Sequence, residues 1–220
     1  KHKVTIKTSA LQNLTTSCLV LGVFQNKNLP DSTAQVDKAL KKQLSKIIDA
    51  GDISGTAGQS LLIHNPAGIR AKRIMLVGLG KKNELDRKKY VAALKNTAAA
   101  LAKYSLADAL LTLAELPVKE MDAGKRYQLL AQVLENSTYR YNHTKSTKGK
   151  KPALKKVDVS LSDKSERAAA RKGLDIGSCV ARGMAVAREM GNLPANICTP
   201  TYLGEQAQAL GKNNRLLKTR

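Results

Sequence analysis

The sequence predicts an α/β fold, a mixed and mostly parallel sheet flanked by helices. Three observations carry this. Continuous apolar runs such as Cys18-Leu19-Val20-Leu21 and Ile74-Met75-Leu76-Val77 suit strands buried on both faces. Segments with apolar residues at helical spacing alternate with those runs as far as residue 161. The chain of 220 residues is also long enough to bury a core without disulfides or a structural metal. That core must be aliphatic, because the chain has no Trp and a single Phe, Phe24.

His2 to Lys7 alternates polar residues with Val4 and Ile6 and reads as a short strand. Ser17 to Phe24 is the next strand, and Pro30-Asp31 closes its loop. Ser32 with Gln35 has the form of a capping box. Val36, Leu40, Leu44 and Ile47 then share one helix face, and Gly51 is placed to stop that helix in a left-handed cap. Gln59 to His64 predicts a second buried strand and Arg73 to Leu79 a third. Asp86 is positioned to cap a helix with Val91, Leu94, Ala98 and Leu101 on one side. Ala107 to Leu113 reads as a strand, Asp122 to Tyr139 as a helix, and Lys155 to Leu161 as an alternating strand. Asp163 with Glu166 resembles a capping box that opens a long helix, with Ile176, Val180, Met184, Ala187 and Met190 as its apolar stripe. Pro194 ends it. Thr199-Pro200 starts a last helix carrying Leu203, Ala207 and Leu210, with Pro where a missing amide costs nothing.

The formal net charge is +21. A field of that sign attracts polyanions, with nucleic acid first, anionic lipid and acidic proteins behind it. The alternative is that a basic piece belongs to a more balanced whole. One low-complexity segment, Arg140 to Lys156, carries Lys145, Lys148, Lys150, Lys151, Lys155 and Lys156 and no acid. Its composition predicts a mobile surface loop. These six lysines are the candidate contacts to duplex DNA, set against a merely solvated loop. The scarcity of Trp and Phe argues against stacking on single strands. Cys18, Cys179 and Cys198 are odd in number and widely spaced, which predicts reduced thiols in a cytoplasmic compartment. No apolar run reaches the roughly 18 residues of a membrane span, and the alternating Lys1 to Ser9 is no signal peptide. A start without Met and an abrupt end at Arg220 read as a fragment.

Chemistry-bearing motifs are sparse. Val77-Gly78-Leu79-Gly80-Lys81-Lys82 follows a strand, where glycines let backbone amides approach a phosphate. Asn83 stands where a phosphate loop needs Ser or Thr and where a dinucleotide fingerprint needs Gly, so turn chemistry is the stronger reading. His2, His64 and His143 show no metal-ligand spacing. Cys198, before a helix, has the setting of an activated thiol, although a packed turn explains it better. There is no Gly-x-Ser-x-Gly elbow and no carboxylate pair.

The stretch Ala187-Arg188-Glu189-Met190-Gly191-Asn192-Leu193-Pro194-Ala195-Asn196-Ile197-Cys198-Thr199-Pro200 resembles a signature of leucyl aminopeptidases, also called cytosol aminopeptidases, of the bacterial branch. Asn192, Pro194, Asn196, Thr199 and Pro200 match its Asn-x-Pro-x-Asn and Thr-Pro positions, in a structural role. Gly58-Gln59 before a strand and the Gly-x-Gly-Lys ending at Lys81 fit the order as well. The resemblance implies a macro-domain-like N-terminal domain at 1–162, a connecting helix at 163–191 and the truncated start of a catalytic domain at 192–220. It implies a parent that binds two divalent metals, Zn or Mn, removes N-terminal residues from peptides and forms homo-hexamers; the lack of an apolar span predicts no membrane partner. No stretch matches the family's metal-ligand motif, so no catalytic or metal residue and no cofactor is assigned to this chain. The ligand motifs of macro domains are absent too. Some bacterial members bind DNA, which makes a DNA-binding accessory module the alternative function. A purely structural assembly domain is the third.

Overall fold

The computed structural model describes residues 3–144, 153–212, 214 and 216–218. In chain order the elements are β1 (Lys3–Lys7), β2 (Leu19–Val23), α1 (Asp31–Ala39), α2 (Gln43–Asp49), β3 (Ser60–His64) and β4 (Arg73–Gly78). There follow α3 (Arg87–Ala102), β5 (Asp108–Leu111), α4 (Ala123–Ser137), β6 (Lys156–Ser160), α5 (Arg167–Asn192) and α6 (Pro200–Lys212). The chain divides into two compact units, residues 1–138 with 151–182, and residues 139–150 with 183–220.

The first unit holds a six-stranded sheet in the order β1-β6-β5-β2-β4-β3. Every neighbouring pair is parallel except β3 with β4. This is the mixed, mostly parallel sheet that the alternating pattern predicts. All five residues of β2, at the centre, are buried. Alternation along it splits the core. Leu19, Leu21 and Val23 face Val36, Leu40, Leu44 and Ile48 from α1 and α2. Val20 and the flanking Cys18 and Phe24 face Leu94, Leu101, Tyr127, Leu130 and Leu134 from α3 and α4.

Local signals fix several helix ends. The Asp86 and Asp122 carboxylates accept from the amides of Lys89 and Lys125, each three residues on, as N-caps do. Gly51 has φ +88° and closes α2, with the Asp52 amide donating to the Ile47 carbonyl.

Four expectations need correction. Ser32 does not cap α1, because the N-cap is Pro30 and no side chain caps that end. The helix expected to continue from Val36 to Ile47 is broken at Lys41 and Lys42, both at positive φ. The buried Asp37 carboxylate accepts from the amides of Leu44 and Ser45 and starts α2 afresh. β3 is an edge strand with exposed ends, not a fully buried one. On α5 the buried face is Ala170, Gly173, Leu174, Gly177 and Ala181, while Ile176 and Val180 stay exposed. A Cβ at Gly173 or Gly177 would overlap the carbonyls of Gly124 or Gln128, so these glycines let α5 lie against the backbone of α4. The Asp163 cap is half formed. It accepts from the Ser165 amide, while Glu166 pairs with Arg126 at 3.3 Å.

Among the described residues no helix is long and apolar enough to cross a membrane.

Candidate functional site

In a parallel sheet all strands point the same way, so their carboxyl ends open onto one edge. There the residues that end or follow β1, β2, β5 and β6 (Lys7, Phe24, Glu115 and Ser160) line a cavity of about 430 Å³. The first turn of α1, Pro30 to Ser32, forms another wall, and Lys82, beyond β4, closes it. A second, more open cleft of about 610 Å³ shares Lys82 and Pro117 with the first. It is walled by Gln25, Asn26, Lys81 and Lys119 and has no acid in its lining. The position is where α/β folds carry ligands. The connection leaving β2 runs to α1 on one face and that leaving β5 runs to α4 on the other, which opens a crevice between these neighbours.

The charges in this edge differ in how they are answered. Lys81 pairs with Glu84 at 3.2 Å. The Glu115 carboxylate accepts from the Ser162 amide at 2.5 Å. Lys7, Lys82 and Lys119 form no ion pair among the described residues. Ser32, 9% exposed, lines the cavity, and its hydroxyl makes no hydrogen bond to the described protein.

The amino end of the sheet is built the other way. The Asp108 carboxylate accepts from the hydroxyls of Thr16 at 2.7 Å and Ser17 at 2.6 Å and from the Ser17 amide at 3.1 Å. Burial opposes its ionisation, yet these donors outweigh burial and hold its carboxyl below the usual carboxylate range. Asp158 is paired with Lys156 at 2.9 Å and accepts from Thr5. Burial pushes the neighbouring Cys18 thiol up to about 12, so it stays protonated at neutral pH.

The glycine-rich turn after β4 is no phosphate cradle. The amides of Gly78, Leu79 and Gly80 donate to the carbonyls of Gln59, Val23 and Gly55. Gly78 is small because a Cβ would strike the Thr56 carbonyl, and Gly80 has φ +78°. Of the six lysines read as DNA contacts, Lys145, Lys148, Lys150 and Lys151 lie outside the described residues. Lys155 is exposed and its amide bonds to the Ala107 carbonyl, while Lys156 lies within β6 and is paired with Asp158. Lys156 belongs to the sheet, and Lys155 directly precedes it.

The second unit contains the Asn-Pro segment. Asn192, at the end of α5, donates to the Tyr139 hydroxyl at 3.2 Å, and that hydroxyl donates to Glu189 at 2.9 Å. The Arg188 guanidinium lies 5.7 Å from the centre of the Tyr139 ring. Pro194 offers its carbonyl to the amides of Ile197 and Cys198, Asn196 is exposed, and the Thr199 hydroxyl accepts from the Tyr202 amide with Pro200 opening α6. All of this is turn and cap chemistry. Among the described residues no group of three or more His, Cys, Asp or Glu could hold a metal ion, and the two metals implied by the resemblance find no ligand set among them.

Residues 20–148 match the family model for the cytosol aminopeptidase family, N-terminal domain. The chain belongs to the cytosol aminopeptidase family. The probable cytosol aminopeptidase of Methylobacillus flagellatus is 39% identical over 213 residues, 96% of this chain and 43% of that protein. The cytosol aminopeptidase of Pseudomonas aeruginosa is 37% identical over 97% of this chain and 43% of its own length. This chain therefore spans less than half the length of its cytosol aminopeptidase relatives. A mutant of tomato leucine aminopeptidase, 22% identical, shares the fold with a TM-score of 0.76 over 97% of this chain and 42% of that one.

Sequence reasoning missed the cleft. Lys82 sits in a glycine-rich motif whose amides are the stronger sequence signal, and Ser32 matches a capping pattern. Lys7 and Lys119 carried no signal, because only the sheet brings them to one edge.

Proposed function

We propose that this chain is the N-terminal, non-catalytic part of a two-metal leucyl aminopeptidase that removes N-terminal amino acids from peptides. The match of residues 20–148 to the family's N-terminal domain carries this reading, with coverage of 43% of the relatives' length leaving room for a catalytic portion. The organisation is an α/β domain at 1–162, a connecting helix at 163–191 and the start of a catalytic domain from 192. Peptide substrates and a cytosolic location belong to the same proposal, supported by the relatives' names, while homo-hexameric assembly and zinc or manganese come to it from the family resemblance. No specific observation among the described residues favours the duplex-DNA alternative.

The test is hydrolysis of a leucine chromogenic amide. Purified residues 1–220 with added manganese or zinc should release no product, and release would overturn the non-catalytic reading. Protein isolated from its natural source should be active and show an intact mass well above 23.7 kDa. A natural product of that mass that lacks aminopeptidase activity would overturn the parent assignment.

A further inference from the structure

We propose that the cleft at the carboxyl ends of the parallel strands is a binding site for a phosphate ester of a hydroxylated small molecule. The proposal is independent of the aminopeptidase reading, since it uses none of the residues of the second unit.

Four features converge on that edge. Its two compartments, about 430 and 610 Å³, lie in the size range of small-molecule sites, roughly 300–1,000 Å³. They sit at the switch point between β2 and β5, where a parallel sheet leaves a crevice. The outer compartment is cationic. Lys82 and Lys119 have no carboxylate partner among the described residues, and no acid lines that compartment. Such a pair of ammonium groups answers a dianion. The first turn of α1 then presents amides to the inner compartment with no side chain capping them.

Ser32 adds a polar group to the wall of the inner cavity. The residue is largely buried and lines the inner cavity, and its hydroxyl has no hydrogen-bond partner in the described protein but stays open to solvent. A hydroxyl at a cavity wall with no protein partner is free to bond a group that enters. The neighbours define the chemistry of that external group. Asp31 and Gln35 supply acceptors for hydroxyl donors, and Phe24 and Leu29 supply an apolar surface. A bare inorganic anion would use none of these, and Asp31 and Glu115 disfavour seating its charge in the inner compartment. A phosphate ester satisfies both halves, with the dianion beside Lys82 and Lys119 and the hydroxylated body beside Ser32 and Asp31. A polymeric polyanion lying across the surface would leave the inner cavity unfilled.

The experiment is calorimetric titration of the full chain at low ionic strength with AMP, ribose 5-phosphate and inorganic phosphate. One of the two esters should bind saturably at one site, about tenfold or more tighter than inorganic phosphate. The Lys82→Gln/Lys119→Gln variant should lose about tenfold or more in that affinity, and Ser32→Ala several-fold. The charge-matched surface variant Lys103→Gln/Lys172→Gln should bind like the parent. Thermal melting shows that each variant is folded, and all these side chains except Ser32 are exposed. A tighter response to AMP places a planar base in the inner cavity, and a tighter response to ribose 5-phosphate places the sugar there. Absence of saturable binding by both esters overturns the proposal. So does inorganic phosphate binding as tightly as the esters, or equal loss in the two double-lysine variants, since either result reduces the effect to net charge.

Discussion

The two ends of the sheet are made of similar residues and treat them in opposite ways. At the amino end, Thr16 and Ser17 donate to Asp108, and Asp158 accepts from Thr5 and pairs with Lys156. At the carboxyl end, Ser32, Lys7, Lys82 and Lys119 face a cavity without such partners. A closed polar network contributes stability and specifies one arrangement, while an open one leaves binding capacity unused until a ligand arrives. The contrast separates the end that holds the fold from the end that is free to act.

The largest effect should come from dismantling the closed end. Asp108→Ala removes the acceptor for two hydroxyls and an amide and should cost about 2–3 kcal/mol in denaturant unfolding. An unchanged midpoint would mean that the amino end is held by strand packing alone. Acid should expose the same dependence. The Asp108 pKa is lower folded than unfolded, so its contribution is complete above the ordinary carboxylate value and is lost as pH falls through the depressed one. Asp108→Asn should therefore flatten the acid limb of stability against pH. A third comparison deletes one hydroxyl at each end. Ser17→Ala should cost about 1 kcal/mol, whereas Ser32→Ala, without ligand, should lie within about 0.5 kcal/mol of the parent or above it. Equal losses would erase the distinction between the ends. The smallest signal is chemical. Cys18, buried and with its thiol pushed up to about 12, should resist alkylation in the native state, while the exposed Cys179 reacts.

What could be read from the sequence was local. Asp86 and Asp122 announce α3 and α4 because a cap acts over three residues, and Gly51 announces the end of α2 for the same reason. The alternation of strand and helix survives as the sheet, since burial on both faces demands continuous apolar runs. What failed was tertiary. Asp37 breaks a regular apolar spacing by reaching the amides of residues 44 and 45, an interaction that no hydropathy pattern records. The packed face of α5 is marked by Gly173 and Gly177, which weigh nothing in an amphipathic stripe, so the larger Ile176 and Val180 misdirect the reading. The half-exposure of β3 follows from its place as the last strand in the sheet. The cleft gathers Lys7, Lys82 and Ser160 from beyond separate strands and Ser32 from the start of α1, and no window of sequence contains them together.

The pairing of β1 with β6 sets a timetable for synthesis. Lys3 aligns with Lys156 and Thr5 bonds to Asp158 across a sequence separation of 153. A chain emerging from the ribosome exposes its first strand long before that strand's one neighbour has been made. The four inner and far strands can assemble first, leaving the initial segment to dock last onto a waiting edge. Early interruption of translation between β5 and β6 should thus leave β5 as an uncovered edge and β1 without its neighbour, a form prone to pairing with other chains.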